Sequence, residues 1–170
     1  MNPVDRIREQ RRLNTLQNLV VRPHRKRIVH LDNVRSIGII AHNLSDTEQA
    51  VLGRFADTMT GRGTIVRKIE LPAMADSLLD RMGFPKADFT RLFTTYQYDV
   101  LIDATPTGDT FGLFLTLTAA SSLRVGYLDT DLPADRLYTD AYDLILRGKG
   151  PGNLQKYLSD IIKFLSQIRK

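Results

Sequence analysis

Short apolar runs alternate along the chain with segments whose apolar positions recur at helical spacing. The runs are rich in β-branched and aromatic residues, which is typical of buried strands; they span residues 36–41, 64–71, 98–103, 124–127 and 142–146. Strands that are apolar throughout are buried on both faces, and this favours a parallel sheet between two helical layers. The pattern therefore predicts an α/β fold, a three-layer Rossmann-like sandwich with a mostly parallel sheet of about five strands.

The helical segments lie between and beside these strands. Ser45 and Glu48 form a capping box at the start of one helix, which the glycines at 61 and 63 end. Further helices are predicted over residues 3–19, 73–82, 86–95, 111–121 and 153–168. The strands at 98 and 142 both begin with Tyr-Asp, and we interpret this as one local solution used twice.

Length and composition indicate one globular protein. The chain has 170 residues with 42% apolar residues, enough for a single well-packed domain. It has no cysteine, which excludes disulfides, thiolate metal sites and a cysteine nucleophile. The three histidines show no metal-ligand spacing, and no secretory or membrane-spanning segment is recognisable. We expect a cytoplasmic bacterial protein without a metal or cofactor.

Positive charge is concentrated at the N-terminus. Eight basic against two acidic residues give residues 1–30 a net charge of +6, whereas the whole chain carries +5. We therefore predict a basic, helical N-terminal arm over residues 1–34 and one α/β domain over 35–170. Because unpaired charges are costly to bury, the arm is expected to stay outside the core. Its contacts with RNA, a ribonucleoprotein or another anionic surface would come from Arg6, Arg8, Arg11, Arg12, Arg22, Arg25, Lys26 and Arg27.

Ligands of open parallel sheets bind at the carboxyl ends of the strands, where strand order reverses. One candidate is an anion-binding loop ahead of the last helix, with glycines, two cations and a helix N-terminus; it comprises Arg147, Gly148, Lys149, Gly150, Gly152 and Asn153. The alternative is a simple turn. The other candidate ligand loops comprise His42, Asn43, Asp103, Thr105, Thr107 and Asp109.

Each residue of these loops also has a plainer interpretation. Thr107 or Asp109 would cap the helix that begins near residue 110. His42 would serve as a general base only with a partner, and the sequence reveals none. Asp129 and Asp131 form a D-x-D pair that lacks a third metal ligand. No residue is therefore assigned a catalytic role.

Two resemblances follow from these motifs. The chain resembles a family of short bacterial proteins of the Bacteroidetes type, which has no established activity; the resemblance rests on Ser36-Ile37-Gly38-Ile39, Gly83-Phe84-Pro85, Tyr98 to Asp103, Arg124-Val125-Gly126 and Tyr142-Asp143-Leu144-Ile145. Residues 98–127 are also similar to part of one Rossmann half of heptosyltransferase-type glycosyltransferases. Those enzymes carry Gly-Asp after the first strand, where this chain has His42-Asn43.

Two functions are consistent with these features. We expect a non-enzymatic binding or interaction module that uses the cationic arm on an anionic partner. The alternative is a small nucleotide- or phosphosugar-binding protein, related to one half of a glycosyltransferase, that uses the strand-end loops. The sequence specifies neither the natural ligand nor the oligomeric state.

Overall fold

The computed structural model describes residues 3–24, 26–73, 76–132, 136–148 and 153–168. Six helices lie in these ranges: α1 (Pro3–Val20), α2 (Asp46–Gly61), α3 (Ala87–Thr94), α4 (Thr110–Thr118), α5 (Arg136–Ala141) and α6 (Leu154–Gln167). Five strands alternate with them: β1 (Ser36–His42), β2 (Ile65–Leu71), β3 (Gln97–Asp103), β4 (Ala120–Asp129) and β5 (Leu144–Gly148). Short 3-10 turns occupy Leu31–Asn33 and Asp76–Leu78. No helix in the described ranges is long and apolar enough to cross a bilayer.

The five strands form one sheet in the order β2-β1-β3-β4-β5, and every neighbouring pair is parallel. This confirms the predicted α/β class. From β1 the chain first moves outward to β2, then crosses back to β3 on the other side of β1. The strand order therefore reverses between β1 and β3, which opens a crevice at the carboxyl ends of these two strands.

Successive side chains along each strand point to opposite faces of the sheet and pack in two separate layers of the core. Ile39 and Ile102 point to the face covered by α2 and α6, where they pack with residues such as Ile161. Ile40 and Leu101 point to the opposite face and pack against α3 and α4. Because both faces are covered, the strands read as apolar runs without alternation, as the sequence pattern indicated.

Two helix predictions differ from the structure. The apolar helix predicted to reach residue 121 ends at Thr118, and Ser121 lies buried within β4. The run is apolar across the helix–strand junction, so periodicity could not locate the break. Residues 73–82, of which 74 and 75 lie outside the described ranges, contain only a 3-10 turn. There the carboxylate of Asp80 accepts hydrogen bonds from the amides of Met82 and Phe84 and fixes a loop instead.

The first helix is part of the fold, and the expectation that the arm stays outside the core is wrong for its second half. Leu16 is 1% exposed and Leu19 6% exposed, and both pack in a cluster with residues of α4 and α5. Arg12 also connects α1 to the domain, since its Nε donates a hydrogen bond to the carbonyl of Met82 at 2.9 Å. The helix packs on the domain without burying its charges, because its buried side chains are both leucines.

The repeated Tyr-Asp pattern has the structural meaning that the sequence suggested. The carboxylate of Asp99 accepts hydrogen bonds from the amides of Arg35 and Ser36, at the entrance of neighbouring β1. The carboxylate of Asp143 does the same for the amide of Arg124 in β4, at 2.8 Å. Each aspartate thus binds the adjacent strand where its ladder begins.

The burial of Leu16 gives a test of the docking of α1. Leu16→Ala should lower the free energy of unfolding by about 3 kcal/mol, the usual cost of a cavity at a fully buried leucine. Chemical denaturation measures this change. Ile7→Ala is the control, because Ile7 lies on the same helix and is 56% exposed, and it should change stability by less than about 0.5 kcal/mol. Equal stability of the two variants would show that α1 does not pack on the domain.

Candidate functional site

A cavity of about 290 Å³ opens at the carboxyl edge of the sheet, at the point where strand order reverses. Its walls come from the ends of β1, β3 and β4 and from the beginnings of α2 and α6. We call it the switch-point cavity; it is lined by His42, Asn43, Leu44, Glu48, Ala104, Thr105, Pro106, Thr107, Tyr127, Asp129, Leu132, Leu154 and Tyr157.

A histidine–aspartate pair stands at this cavity. His42 is the last residue of β1, and Asp109 precedes α4 as its N-cap. The Nδ1 atom of His42 lies 2.5 Å from Oδ2 of Asp109. The other carboxylate oxygen, Oδ1, accepts hydrogen bonds from the amides of Phe111 and Gly112. The helix cap therefore fixes the carboxylate, and the carboxylate orients the imidazole.

This arrangement leaves the second ring nitrogen of His42 available. Within the described ranges, no residue forms a hydrogen bond with Nε2, and the side chain is 31% exposed. In the neutral ring, a carboxylate at Nδ1 favours the tautomer with the proton on that nitrogen, and Nε2 is then an acceptor. The imidazole also packs against the ring of Phe111 in a T-shaped contact, with 5.9 Å between the ring centroids. The pair can therefore accept a hydrogen bond from a ligand hydroxyl.

The chain leaves β1 through an unusual backbone conformation. Asn43 has φ of 50° and is the one described residue other than glycine with positive φ. Asparagine tolerates this region better than most residues, and such conformations concentrate at binding sites. Its amide donates to the carbonyl of Leu71 at the end of β2. The turn therefore begins directly after His42, and Asn43 and Leu44 within it line the cavity.

A buried carboxylate supports the floor of the site. Asp103 ends β3 and is 1% exposed. Its Oδ1 accepts hydrogen bonds from the amide of Thr105 at 2.9 Å and from the Thr105 hydroxyl at 2.6 Å. Its Oδ2 accepts from the hydroxyls of Tyr142 and Thr116. Gly112 makes room for this network, since a Cβ there would collide with Asp103 and with the Thr105 hydroxyl.

Burial dominates the titration of this network. Loss of hydration raises the pKa of Asp103 to about 6, although the bonds from Thr105 and Tyr142 favour the ionised form. Burial also raises the pKa of Tyr142 well above its ordinary value, so this phenol remains a donor.

The side of the cavity formed by β4 is also held by hydrogen bonds. The hydroxyl of Thr107 donates to the carbonyl of Tyr127 and accepts from the amide of Asp129. The hydroxyl of Tyr138 donates to the same carbonyl of Tyr127, at 2.7 Å. These bonds fix the loop between β3 and α4 against the end of β4, so the walls of the cavity are preformed.

The structure brings together the residues of the predicted ligand loops. His42, Thr105 and Thr107 line the cavity, Asp109 orients His42, and Asp103 lies beneath. The partner of His42, which the sequence did not reveal, is Asp109, 67 positions along the chain. The expected cap at Asp109 is also present, so this residue has both roles. Sequence analysis missed the walls contributed by Tyr127, Leu132, Leu154 and Tyr157, because aromatic and aliphatic residues there resemble ordinary core.

The predicted anion-binding loop is described only at its two ends. Gly148 ends β5, where the hydroxyl of Tyr127 occupies the space of a missing Cβ. Asn153 caps α6 by accepting from the amide of Lys156. Lys149, Gly150 and Gly152 lie outside the described residues, so anion binding stays a prediction.

The D-x-D pair has a local structural role. Oδ1 of Asp129 accepts the amide of Asp131 at 3.0 Å, which closes a turn after β4. Within the described ranges, no group of three or more histidine, aspartate or glutamate side chains is placed to hold a metal ion.

The chain matches no family model and no curated protein. Its function must therefore be inferred from the geometry of the site.

The raised pKa of Asp103 predicts the pH dependence of stability. Because the folded-state pKa of about 6 exceeds the ordinary value of 3.8, the folded protein binds this proton more tightly than the unfolded chain. The contribution of Asp103 is greatest below pH 4 and is lost as pH rises to 6, by about 3 kcal/mol.

Asp103→Asn removes this titration, and denaturant unfolding at pH 4, 5, 6 and 7 measures it. The stability difference between wild type and variant should shift by about 2.5 kcal/mol over this range, in favour of the variant at higher pH. Parallel stability curves for the two proteins would contradict the assignment.

Proposed function

We propose that this chain binds a small hydroxyl-bearing ligand, a nucleotide or a phosphosugar, in the switch-point cavity. The observation that carries the proposal is the His42–Asp109 pair, which is fixed by a helix cap and whose second ring nitrogen has no protein partner among the described residues. A ligand hydroxyl would donate to that nitrogen.

The form of the cavity supports a small-molecule ligand. Binding sites of this kind are concave and largely apolar, with a few polar groups that fix orientation. Here Leu44, Leu132 and Leu154 contribute apolar surface, whereas His42 and Asp129 contribute polar groups. In sheets of this strand order, ligands bind at the reversal between the first and third strands.

The same region carries the resemblance to glycosyltransferases. Residues 98–127 comprise almost all of β3, all of α4 and most of β4. They supply Asp103, Thr107, Asp109 and Tyr127 to the site or its support. This coincidence supports a sugar- or nucleotide-type ligand, and the proposal assigns binding alone, without a catalytic residue.

The described walls favour the sugar or nucleoside part of such a ligand. Carboxylates such as Asp129 accept hydrogen bonds from hydroxyls but repel phosphate. A phosphate would instead lie near the predicted anion-binding loop. The described residues of this loop are Arg147 and Gly148 at its start and Asn153 at its end. Arg147 is exposed at this edge.

Ligand titrations test the proposal directly. Adenosine monophosphate, uridine monophosphate and glucose 1-phosphate are added to the full chain, and amide shifts are followed by NMR. The largest shifts should fall at His42, Asn43 and residues 104–109. His42→Ala should weaken binding about tenfold or more, since a bond to a charged or polarised group contributes about 1.5–3 kcal/mol.

His30→Ala is the matched control, because His30 lies before the amino end of β1 and caps a 3-10 turn there. This variant should bind like wild type. Shifts confined to other surfaces, or the absence of shifts with all three ligands, would contradict a ligand site in this cavity.

A second function is favoured by the exposed half of α1. The guanidinium groups of Arg6, Arg8 and Arg11 are exposed and have no hydrogen bond or ion pair within the described ranges. Arg12 differs, since it contacts Met82 and Glu9. The remaining members of the basic set are exposed at Arg22, Lys26 and Arg27, and Arg25 lies outside the described residues. We propose that the exposed basic residues of α1 and of the segment after it form the contact for a polyanion such as RNA or a ribonucleoprotein.

The salt dependence of RNA binding tests this second proposal. About four to six phosphate contacts predict a slope of log affinity against log salt of roughly −3 to −5 with a single strand. Replacing Arg6, Arg8 and Arg11 by Gln should weaken the slope by about 2, and fluorescence anisotropy with a generic single-stranded RNA measures it.

Substitution is preferable to deletion of the arm, because deletion also removes Leu16 from the core. The matched control replaces the exposed Arg54, Arg91 and Lys163 by Gln. It removes the same charge outside α1 and should weaken the slope by less than the α1 variant does. Equal slopes for both triple variants would indicate general attraction by net charge and would exclude a specific contact through α1.

A further inference from the structure

A second cavity, of about 360 Å³, also borders the loop between β3 and α4, at Thr107 and Gly108. Helix α1 forms one wall, and α4, α5 and the end of β4 form the others. We call it the rear cavity; it is lined by Glu9, Leu13, Leu16, Thr107, Gly108, Thr110, Leu113, Leu128, Leu132, Leu137 and Tyr138.

The rear cavity adjoins the switch-point cavity. Thr107 and Leu132 line both of them. Leu132 is 47% exposed, although most leucines of this chain are buried. An exposed apolar side chain thus lies at the border that the two cavities share.

The two cavities differ in chemistry. The switch-point cavity is lined by His42, which is paired with Asp109, whereas the rear cavity is walled mainly by leucines. The charged residue at the rear wall, Glu9, forms an ion pair with Arg12 at 3.3 Å, and Arg12 is in turn bonded to the carbonyl of Met82. These contacts hold α1 in place, so the wall is part of the folded protein.

We propose that the two cavities together bind one amphipathic ligand. Its hydroxyl-bearing head lies at the His42–Asp109 pair, and its hydrocarbon tail passes Thr107 and Leu132 into the rear cavity. The occupant of the rear cavity is thus the apolar tail of the ligand whose head the other cavity binds. The inference rests on the proposed function for the position of the head and adds a lipid-like tail to the ligand class.

Alkyl glucosides of increasing chain length provide the probes. Methyl, butyl, hexyl and octyl β-glucoside are titrated below the micelle concentration, by calorimetry and by NMR of leucine methyl groups. Affinity should rise about three- to fourfold for each added methylene while the tail remains within the cavity. The methyl signals of Leu13, Leu113 and Leu137 should shift with octyl glucoside and should not shift with methyl glucoside.

Variants that fill the rear cavity test binding of the tail independently of binding of the head. Leu13→Trp places a larger side chain on the α1 wall and should abolish the gain with chain length, while methyl glucoside binding is retained. Leu92→Trp makes the same change at a side chain that is 76% exposed on α3, and it should preserve the gain. Thr110→Leu, on the α4 wall, is a second filling variant if Leu13→Trp does not fold.

The outcomes distinguish this inference from the proposed function. Binding that is independent of chain length overturns the amphipathic ligand and leaves the head site in place. A gain with chain length that survives both filling variants also overturns it, because the tail then lies elsewhere. If His42→Ala changes neither the affinity for methyl glucoside nor that for octyl glucoside, the head site fails. No binding of any glucoside contradicts both.

Discussion

The carboxylate of Asp103 is the interaction on which the arrangement of the site depends. It is an ionisable group that is 1% exposed, and it joins β3, the loop at Thr105, helix α4 and Tyr142, which directly follows α5. Its own backbone carbonyl accepts the hydroxyl of Tyr157 from α6 at 3.0 Å. Elements from both helical layers therefore meet at one residue. Because an unsatisfied carboxylate in this position would be very costly, the network permits few alternative arrangements of the loop that carries Asp109.

The architecture was predictable because each local signal agreed with the others. The capping box at Ser45 and Glu48 is present, with reciprocal bonds as the spacing implied. The five predicted strands all occur, since apolar runs of this kind can be buried only within a covered parallel sheet. The break between α4 and β4 was not predictable from periodicity, because packing on both sides of Ala119 requires apolar residues. The short helix α5 also gave no signal, since six residues span less than two turns.

The candidate site was predictable in position but not in its pairwise contacts. The strand-end rule located His42 and Asp109 at the same edge of the sheet. Their pairing depends on the strand order, which places β3 beside β1, and no local pattern encodes that order. The docking of α1 was missed for a related reason. Over its whole length this helix is only weakly amphipathic, whereas its buried side chains, Leu16 and Leu19, lie in the second half.

The position of α1 has a consequence for the order in which the protein can fold during synthesis. This helix leaves the ribosome before α4 and α5, yet it packs on both of them, about a hundred residues later in the chain. Until Leu113 and Tyr138 have been made, Leu16 lacks most of the cluster that buries it. The helix therefore remains exposed while β1 and β2 are synthesised, and chaperones can bind it at this stage. Its closing contact joins distant parts of the chain, so it belongs to the late, slow events of folding.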